Sequence, residues 1–282
     1  MHCRPRRRAL ARGKRPALIG RTAFLVAGAI ALFSRCSEPA AQASLSVDVV
    51  SVDPQEATVD SVPAFKREEL LGQFDPAEHT AFSRVPDTWT DKDGIYLRTE
   101  VLDACGRMRD AAAAAGVDLL IRSATRNFSY QRGIWERKWQ RIRYMGWQDV
   151  DKARDILTYS AMPGASRHHW GTDIDFNSFE NDWFASGEGA EVYGWLSDHA
   201  AEFGFHQVYD DKATGRTGYE LERWHWSHMP TAEPMLAAYN ALISEADLTG
   251  APFSGAGTAD SLQVLRDFVN GIDRPTQQST ER

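Results

Sequence analysis

The sequence predicts an α+β fold, in which helices flank a small antiparallel sheet. A polar–apolar alternation over Thr172–Phe176 predicts one strand, and Phe205–Trp226 has the pattern of a hairpin. Several other segments place apolar residues at helical spacing. With 282 residues, 43% of them hydrophobic and nine of them Trp, the chain is long and apolar enough to bury a sizeable core.

Residues 1–43 are typical of a secretory signal and not of a folded domain. The basic stretch Arg4–Arg21 is followed by the apolar run Thr22–Phe33 and by the small-x-small sequence Ala41–Ala43. The apolar run is short for a membrane span. We therefore expect an exported protein in the periplasm or cell envelope, either free or tethered to the membrane.

The chain without this signal is strongly acidic. Residues 1–43 hold nine of the 32 basic residues and one of the 39 acidic residues, so their removal leaves a formal net charge of −15. Such a charge argues against binding to nucleic acid or to an anionic membrane, because both attract positive surfaces. Of the three cysteines only Cys105 would remain, which excludes an internal disulfide. The fold must therefore depend on its apolar core.

The remaining chain divides into three parts. Residues 44–68 carry scattered Val, Pro and acidic residues with little period, which indicates a linker or loose arm. Residues 69–272 contain the periodic segments and are expected to form one domain. Residues 273–282 are expected to be a disordered tail.

The first half of the domain is predicted to be mainly helical. Residues 69–93 should be loops with one short helix, and a helix over Thr99–Ala115 should end at Gly116. A short buried strand over Val117–Arg122 should precede a long helix, Ser129–Tyr144, which its first residue caps. The apolar face of that helix is formed by Ile134, Trp135, Trp139 and Ile142. Its basic residues are assigned to its solvated side: Arg132, Arg137, Lys138, Arg141 and Arg143.

The second half is predicted to carry the sheet. Its elements are expected in this order: a helix at Asp149–Ser160, the strand Thr172–Phe176, a loop at Asn177–Gly189, an amphipathic helix closed by Gly204, the hairpin strands Phe205–Tyr209 and Gly218–Trp226, and helices at about 232–244 and 259–271.

A dense cluster of metal-ligand residue types lies at Ser166–Phe176. It holds two His and two Asp within ten positions, in a chain with eight His. Neutral imidazole and carboxylate are ligand types of a catalytic Zn²⁺. As a strand, the segment would bury Ile174 and point Asp173 and Asp175 to one side. A buried His–Asp pair with a structural role is the alternative interpretation.

A second His-bearing cluster lies about fifty residues downstream. Glu222 is a candidate general base and His225 a candidate ligand. Their offset of three places them on opposite faces of a regular strand, so a bulge, a turn or a helix must lie there. Spacing alone does not choose between His225 and His228 as ligand, nor between Asp173 and Asp175.

Three further histidines and one arginine complete the candidate residues. His169, His206 and His228 are assigned to supporting or surface positions. Arg126 lies in a strand-to-helix turn, where a fixed guanidinium can clamp an anion through two hydrogen bonds. An ordinary surface arginine is the alternative interpretation.

Three motifs follow one another over roughly Leu97 to Pro230. They are Ser-x-x-Arg…Gln at Ser123, Arg126 and Gln131; Ser-x-His-x-x-Gly-x-x-x-Asp at Ser166, His168, Gly171 and Asp175; and Glu-x-Trp-His at Glu222, Trp224 and His225. In order and residue type they resemble the motifs of the D-alanyl-D-alanine carboxypeptidases of the vancomycin-resistance type. These enzymes belong to the larger group of lysostaphin, D-Ala-D-Ala peptidase and Sonic hedgehog folds.

This resemblance implies that residues 69–272 form a zinc D,D-peptidase catalytic domain of the hedgehog/DD-peptidase type. It implies one Zn²⁺ per chain on His168, Asp175 and His225, with Glu222 as base and Arg126 on the substrate carbonyl or carboxylate. Contacts with substrate are expected from Ser166, Gln131, Asp173, Trp170, Tyr219 and Trp224. Asp173 replaces an Ala of the family, and either binds a substrate amine or supports a ligand histidine.

The implied function is hydrolysis of the C-terminal D-Ala-D-Ala bond of peptidoglycan stem peptides by an exported metallopeptidase. Alternatives within the same fold are a dipeptidase, an L,D-carboxypeptidase or a wall endopeptidase. A non-catalytic, zinc-containing wall-binding module is the alternative from another class. Glu222 and Arg126 disfavour that module, because binding alone requires neither a base nor an oxyanion clamp. We expect no nucleic-acid partner, and no stable membrane span after signal removal.

Overall fold

The computed structural model describes residues 65–275, which form six short strands and seven α-helices. The strands are β1 (Phe82–Arg84), β2 (Tyr96–Arg98), β3 (Ile121–Ser123), β4 (Asp173–Phe176), β5 (Phe205–His206) and β6 (His225–His228). The helices are α1 (Arg67–Leu70), α2 (Thr99–Ala114), α3 (Phe128–Trp139), α4 (Asp149–Ile156), α5 (Gly187–His199), α6 (Met229–Leu242) and α7 (Glu245–Thr249). This arrangement confirms the predicted α+β class.

Four strands form the central sheet, in the order β3-β4-β6-β5, and every neighbouring pair is antiparallel. Between β4 and β6, Asp175 lies opposite His225 and Asp173 lies opposite Ser227. The two His-bearing clusters of the sequence are therefore neighbours in space. Strands β1 and β2 form a separate two-stranded sheet. The sequence did not predict this second sheet, because three residues are too few to show a period of two.

Two apolar clusters form the core of the described chain. One cluster draws on α2, β3, β4 and α5, and includes Ile174 and Phe176. The other draws on α3, α4 and α6, and includes Trp170. Because side chains alternate across a strand, Asp173 and Asp175 share the side of β4 that Ile174 and Phe176 leave free. Burial of the apolar side chains thus fixes where the two carboxylates point.

Helix α2 matches its prediction to within one residue. Its inward face consists of Val101, Cys105, Met108 and Ala112, all buried, and the chain leaves the helix at Gly116 with a φ of +81°. Cys105 has no disulfide partner, and burial raises the pKa of its thiol to about 12. The thiol is therefore un-ionised at neutral pH and unreactive as a nucleophile.

Helix α3 begins earlier and is shorter than predicted. The side chain of Asn127, and not that of Ser129, caps the helix by accepting a hydrogen bond from the amide of Tyr130 at 2.9 Å. The helix ends at Trp139. Ile142 therefore lies beyond it and is 83% exposed, instead of packing as part of an apolar face.

Two elements of the second half also differ from the prediction. Only Phe205–His206 pairs with β6, and residues 207–224 contain no strand. The helix expected over 259–271 is interrupted, because Gln263 adopts a φ of +52°. A short π-helical segment, Leu265–Val269, follows this break. Apolar residues at helical spacing predicted this helix, but the positive φ of Gln263 is incompatible with a continuous α-helix.

The edges of the domain differ slightly from those predicted. Helix α1 begins at Arg67, so the last two residues of the expected linker, Arg67 and Glu68, already belong to the fold. At the other end, Asp273 accepts a hydrogen bond from His206 (2.6 Å) and its amide donates to the carbonyl of Val208 (2.9 Å). The expected signal, most of the linker and most of the tail lie outside the described residues. Within the described chain, no helix is both long and apolar enough to cross a bilayer.

Gly171 connects the 3₁₀ turn Arg167–Trp170 to β4 and adopts a φ of +73°. An added Cβ would lie 2.3 Å from Cε1 of Phe82. We expect Gly171→Ala to lower the free energy of unfolding by about 2–4 kcal/mol, because left-handed backbone strain adds to overpacking. Urea denaturation measures this loss.

Gly116→Ala is the matched control for that substitution. Gly116 also has a positive φ, +81°, but an added Cβ there would have no atom within 4 Å. Its substitution should therefore show the backbone cost alone, about 1–2 kcal/mol. Equal losses in the two variants would contradict the packing role of Gly171.

Candidate active site

The central sheet brings the two His-bearing clusters into one buried site. His168 lies in the 3₁₀ turn before β4, Asp175 lies in β4, and His225 lies opposite it in β6. One donor atom of each residue lies within 4.8 Å of the other two, and all three side chains are buried. These residues form a candidate metal site.

His168 presents an unpaired nitrogen to this site. Its Nδ1 lies 2.8 Å from the carbonyl oxygen of Ala124, and because a carbonyl only accepts, Nδ1 carries the hydrogen. Nε2 is buried without a hydrogen-bond partner among the described residues, 3.3 Å from Oδ2 of Asp175. Burial, with Arg126 nearby, lowers the pKa of His168 and keeps the ring neutral. A lone pair facing a carboxylate oxygen suits a cation held by both.

His225 is held between two carboxylates. Its Nε2 lies 2.9 Å from Oδ2 of Asp173, and its Nδ1 lies 3.1 Å from Oδ1 of Asp175. Burial opposes protonation of His225, but the hydrogen bonds to the two carboxylates outweigh burial and raise its pKa to about 9. The surroundings therefore favour positive charge at this point. Fixing one ring nitrogen by a carboxylate while the other faces the site is common for metal-binding histidines.

Asp173 does not line the cleft, contrary to its expected place among the substrate-binding residues. Its side chain is fully buried. Besides His225, its oxygens contact Arg167 Nε at 2.9 Å, Ser227 Oγ at 2.7 Å and Thr172 Oγ1 at 2.6 Å. Against the opposing effect of burial, Arg167 and His225 hold the pKa of Asp173 well below its usual range. The carboxylate therefore supports His225, which is the second role that the sequence allowed.

Glu222 lies beside the same three side chains, one turn before β6. The amide of His225 donates to the carbonyl of Glu222 at 3.2 Å, so a turn separates them and resolves the awkward offset of three. Oε2 of Glu222 lies 3.6 Å from Nδ1 of His225. Burial, assisted by the Asp175 carboxylate, raises the pKa of Glu222 to about 7. A carboxyl group with such a pKa can both accept and release a proton near neutral pH.

Arg126 lies between β3 and α3 and approaches Asp175. Its backbone is fixed, because its amide donates to the carbonyl of His168 (3.0 Å) and its carbonyl contacts Nδ1 of His169 (2.5 Å). Its Nη2 lies 3.9 Å from Oδ2 of Asp175. Its Nε is buried without a partner within residues 65–275. The guanidinium thus retains donors for an anionic or carbonyl oxygen.

A cleft of about 550 Å³ opens on these residues. It is lined by four residues that the sequence analysis assigned to the site: Arg126, Asp175, Glu222 and Trp224. A recess of about 30 Å³ lies next to His168 and His225, and both Ser166 and Tyr219 line it. The cleft is also lined by residues that were not identified from the sequence: Ile134, Lys138, Tyr159, Ser160 and Phe179.

Lys138 was assigned to the solvated side of its helix, and the structure corrects that assignment. It follows Ile134 by four residues and Gln131 by seven, and these spacings put all three on one face of α3. Ile134 also lines the cleft, and Gln131 is buried. The spacing was therefore a signal in the sequence, but the number of basic residues on the helix obscured it.

Two residues expected to bind substrate belong to the interior instead. Trp170 is buried, packs against Tyr239 and donates to the carbonyl of Leu70 at 3.2 Å. Gln131 is buried and donates to the carbonyl of Ala161 at 2.8 Å. Neither residue lines the cleft or the recess. Both side chains therefore belong to the interior of the domain.

Comparisons with known proteins agree with the motifs. Residues 94–231 match the family model of VanY, D-alanyl-D-alanine carboxypeptidase. A D-alanyl-D-alanine carboxypeptidase of Enterococcus faecalis is 32% identical over 120 residues, which are 43% of this chain and 43% of that protein. The putative carboxypeptidase YodJ of Bacillus subtilis is 28% identical over 170 residues, 57% of this chain and 56% of that protein. The chain thus spans about half the length of these relatives.

Two solved structures are also similar to the chain. VanYB in complex with D-alanine-D-alanine has 25% identity and a TM-score of 0.44, covering 63% of this chain and 93% of that one. The LD-carboxypeptidase LdcB has 22% identity and a TM-score of 0.45, covering 61% and 77%. The match to the family model lies on the segment that carries all three motifs and the candidate metal site. Residues 94–231 of this chain therefore form a VanY-like domain, similar to the D-alanyl-D-alanine carboxypeptidases.

Proposed function

We propose that this chain is an exported zinc carboxypeptidase that hydrolyses the C-terminal D-Ala-D-Ala bond of peptidoglycan stem peptides. The observation that carries the proposal is the convergence of His168, Asp175 and His225 beside Glu222 on an open cleft. The activity by which the family and one relative are described supports the substrate class. The signal-like segment at residues 1–43 supports export to the compartment where that substrate lies.

The ion would be held by Nε2 of His168, a carboxylate oxygen of Asp175 and Nδ1 of His225. Two imidazoles and one carboxylate are a common donor set for catalytic zinc. When bound, Zn²⁺ supplies Lewis acidity, which acidifies a water molecule and polarises a carbonyl group. Asp173 would keep His225 in the tautomer that leaves Nδ1 free, because its carboxylate accepts the hydrogen of Nε2.

Glu222 is the proposed general base and general acid. Its carboxylate would take a proton from the attacking water and then give a proton to the departing amine of the terminal D-Ala. Burial serves this exchange, because it raises the pKa of Glu222 to about 7 and so brings it near the working pH. The same residue can therefore act in both directions during one turnover.

Arg126 is proposed to stabilise the negative charge that develops on the carbonyl oxygen. Arg126 lines the cleft, and its buried Nε has no hydrogen-bond partner among residues 65–275. A well-placed donor of this kind is worth about 3 kcal/mol in the transition state. The recess lined by Ser166 and Tyr219 adjoins His168 and His225, so both side chains lie next to the position proposed for the ion.

Removal of the metal should abolish hydrolysis, and zinc should restore it. Purified protein is incubated with muropeptides, and mass spectrometry identifies what is released. We expect loss of one terminal alanine, no reaction after chelation, and recovery with Zn²⁺. His225→Ala should lose both bound zinc and activity, because one of three ligands is gone.

His199→Ala is the matched control, since the side chain of His199 is 46% exposed and contacts Glu202 and Trp195, outside the candidate site. It should retain zinc and activity. Full activity after chelation, or stoichiometric zinc in His225→Ala, would contradict the proposal. Release of a dipeptide, or a cut in a cross-link between stem peptides, would favour the dipeptidase or endopeptidase alternatives instead.

A further inference from the structure

Within the described residues, a partly buried ammonium group lies in the cleft without a carboxylate in direct contact. Lys138 lines the same cleft as Arg126 and Glu222 and donates a hydrogen bond to Oγ of Ser160. Among residues 65–275, no carboxylate lies within 4.0 Å of its Nζ. Lys152 and Lys212, by contrast, pair with carboxylates at 3.4 Å and 2.6 Å. Lys138 therefore has an unused charge.

An unpaired cation that is partly removed from water is unfavourable. Burial, together with the nearby Arg141, lowers the pKa of Lys138, which is the expected response to that environment. Its hydrogen bond to Ser160 holds the amine in place but supplies no opposite charge. An anionic ligand would supply the missing partner, and the open cleft gives such a ligand access.

The position of Lys138 in the cleft indicates which anion would bind beside it. Ser160 and Arg126 line both the cleft and the recess, so they lie where the two meet. Lys138 bonds to Ser160 there, so a peptide whose scissile bond lies beside Glu222 would bring its chain end into the same cleft as Lys138. A free carboxylate is also the one anion that every carboxypeptidase substrate carries next to the scissile bond.

We propose that Lys138, positioned by Ser160, binds the terminal carboxylate of the peptide and so makes the site selective for free chain ends. This inference rests on the proposed function and adds to it a residue that determines specificity. It assigns to Lys138 a part in substrate recognition that no motif of the chain indicates. A peptide with the same sequence and an amidated C-terminus carries no terminal charge and would form no such ion pair.

The test compares Nα,Nε-diacetyl-L-Lys-D-Ala-D-Ala with its C-terminal amide. The zinc-loaded wild type is compared with Lys138→Met, which keeps the length of the side chain without its charge, and with Lys138→Arg, which keeps the charge. Turnover gives KM and kcat for both peptides. Calorimetry with the same variants in a Glu222→Gln background gives binding constants in the absence of cleavage.

We expect wild type to prefer the free acid, and Lys138→Met to reduce that preference about tenfold to a hundredfold, mainly through KM. Lys138→Arg should restore most of the preference. Arg137→Met is the matched control, because Arg137 is exposed on the neighbouring position of the same helix and should change neither peptide. Zinc content should be equal in all variants.

An unchanged preference in Lys138→Met, or a wild type that binds acid and amide equally, would overturn the inference. An equal loss for both peptides would also overturn it and would assign Lys138 to the electrostatics of Glu222. These outcomes are separable from failure of the proposed function. If no peptide is cleaved but binding of the acid depends on Lys138, the function fails and the inference stands.

Discussion

Glu222→Gln is expected to lower the rate of hydrolysis by a factor of about 10² to 10⁴ while zinc remains bound. Glutamine has nearly the shape of glutamate but cannot take a proton from water or return one to the amine. Glu222 is not among the three donors that converge on the candidate metal site, so the ion should be unaffected. Steady-state kinetics and metal analysis of the same preparation measure the two quantities.

Glu220→Gln provides the control for this experiment. Glu220 lies two residues away and its side chain is 47% exposed, paired with Lys212. This substitution should leave turnover unchanged. Turnover of Glu222→Gln at the wild-type rate would remove Glu222 from its role as base, whereas loss of zinc would show that its carboxylate supports the ion instead.

Asp173→Asn is expected to have the largest effect on stability, a loss of about 3–5 kcal/mol. The side chain of Arg167 is 1% exposed and that of Asp173 is fully buried, so neutral Asn would leave the guanidinium without its counter-charge in the interior. The bond that orients His225 would weaken as well, and zinc affinity should fall about tenfold to a hundredfold. Urea denaturation of metal-free protein measures the first effect, and zinc titration measures the second.

Asp118→Asn is the matched control, because it removes a carboxylate from a pair with Arg109 at 3.8 Å in which the aspartate is 79% exposed. Its effect should be below about 1 kcal/mol. The double variant Asp173→Asn, Arg167→Met should recover part of the loss, since no unpaired charge remains. A loss below about 1 kcal/mol in Asp173→Asn alone would contradict the role assigned to this pair.

Strand β4 could be predicted because a local pattern specifies it, and the metal-site residues because their motifs resemble those of a known family. Alternation at Asp173–Phe176 predicted the strand, and the structure has it with Ile174 buried. The motifs indicated His168, Asp175 and His225 as a set, and the structure brings them together. The offset of three between Glu222 and His225 stayed unexplained, because it depends on a turn between them. The spacing of residues in the sequence does not show such a turn.

The rest depended on contacts between distant parts of the chain. Gln131 reaches Ala161, thirty residues away, and Trp170 reaches Leu70, a hundred residues away. In both contacts the side chain is buried and bonded to a distant backbone carbonyl. The residues next to it in the sequence do not predict such a contact. Lys138, by contrast, was expected to face solvent and lines the cleft instead. The other basic residues of α3 concealed this position in the sequence.

The inert thiol of Cys105 has a practical consequence for this domain. The described chain contains no cross-link that a reductant could open, and its one sulfhydryl is out of reach of mild oxidants while the fold is intact. Packing, hydrogen bonds and ion pairs therefore hold residues 65–275 in shape without a disulfide. A change in the thiol–disulfide balance of the surroundings has no bond within these residues to break.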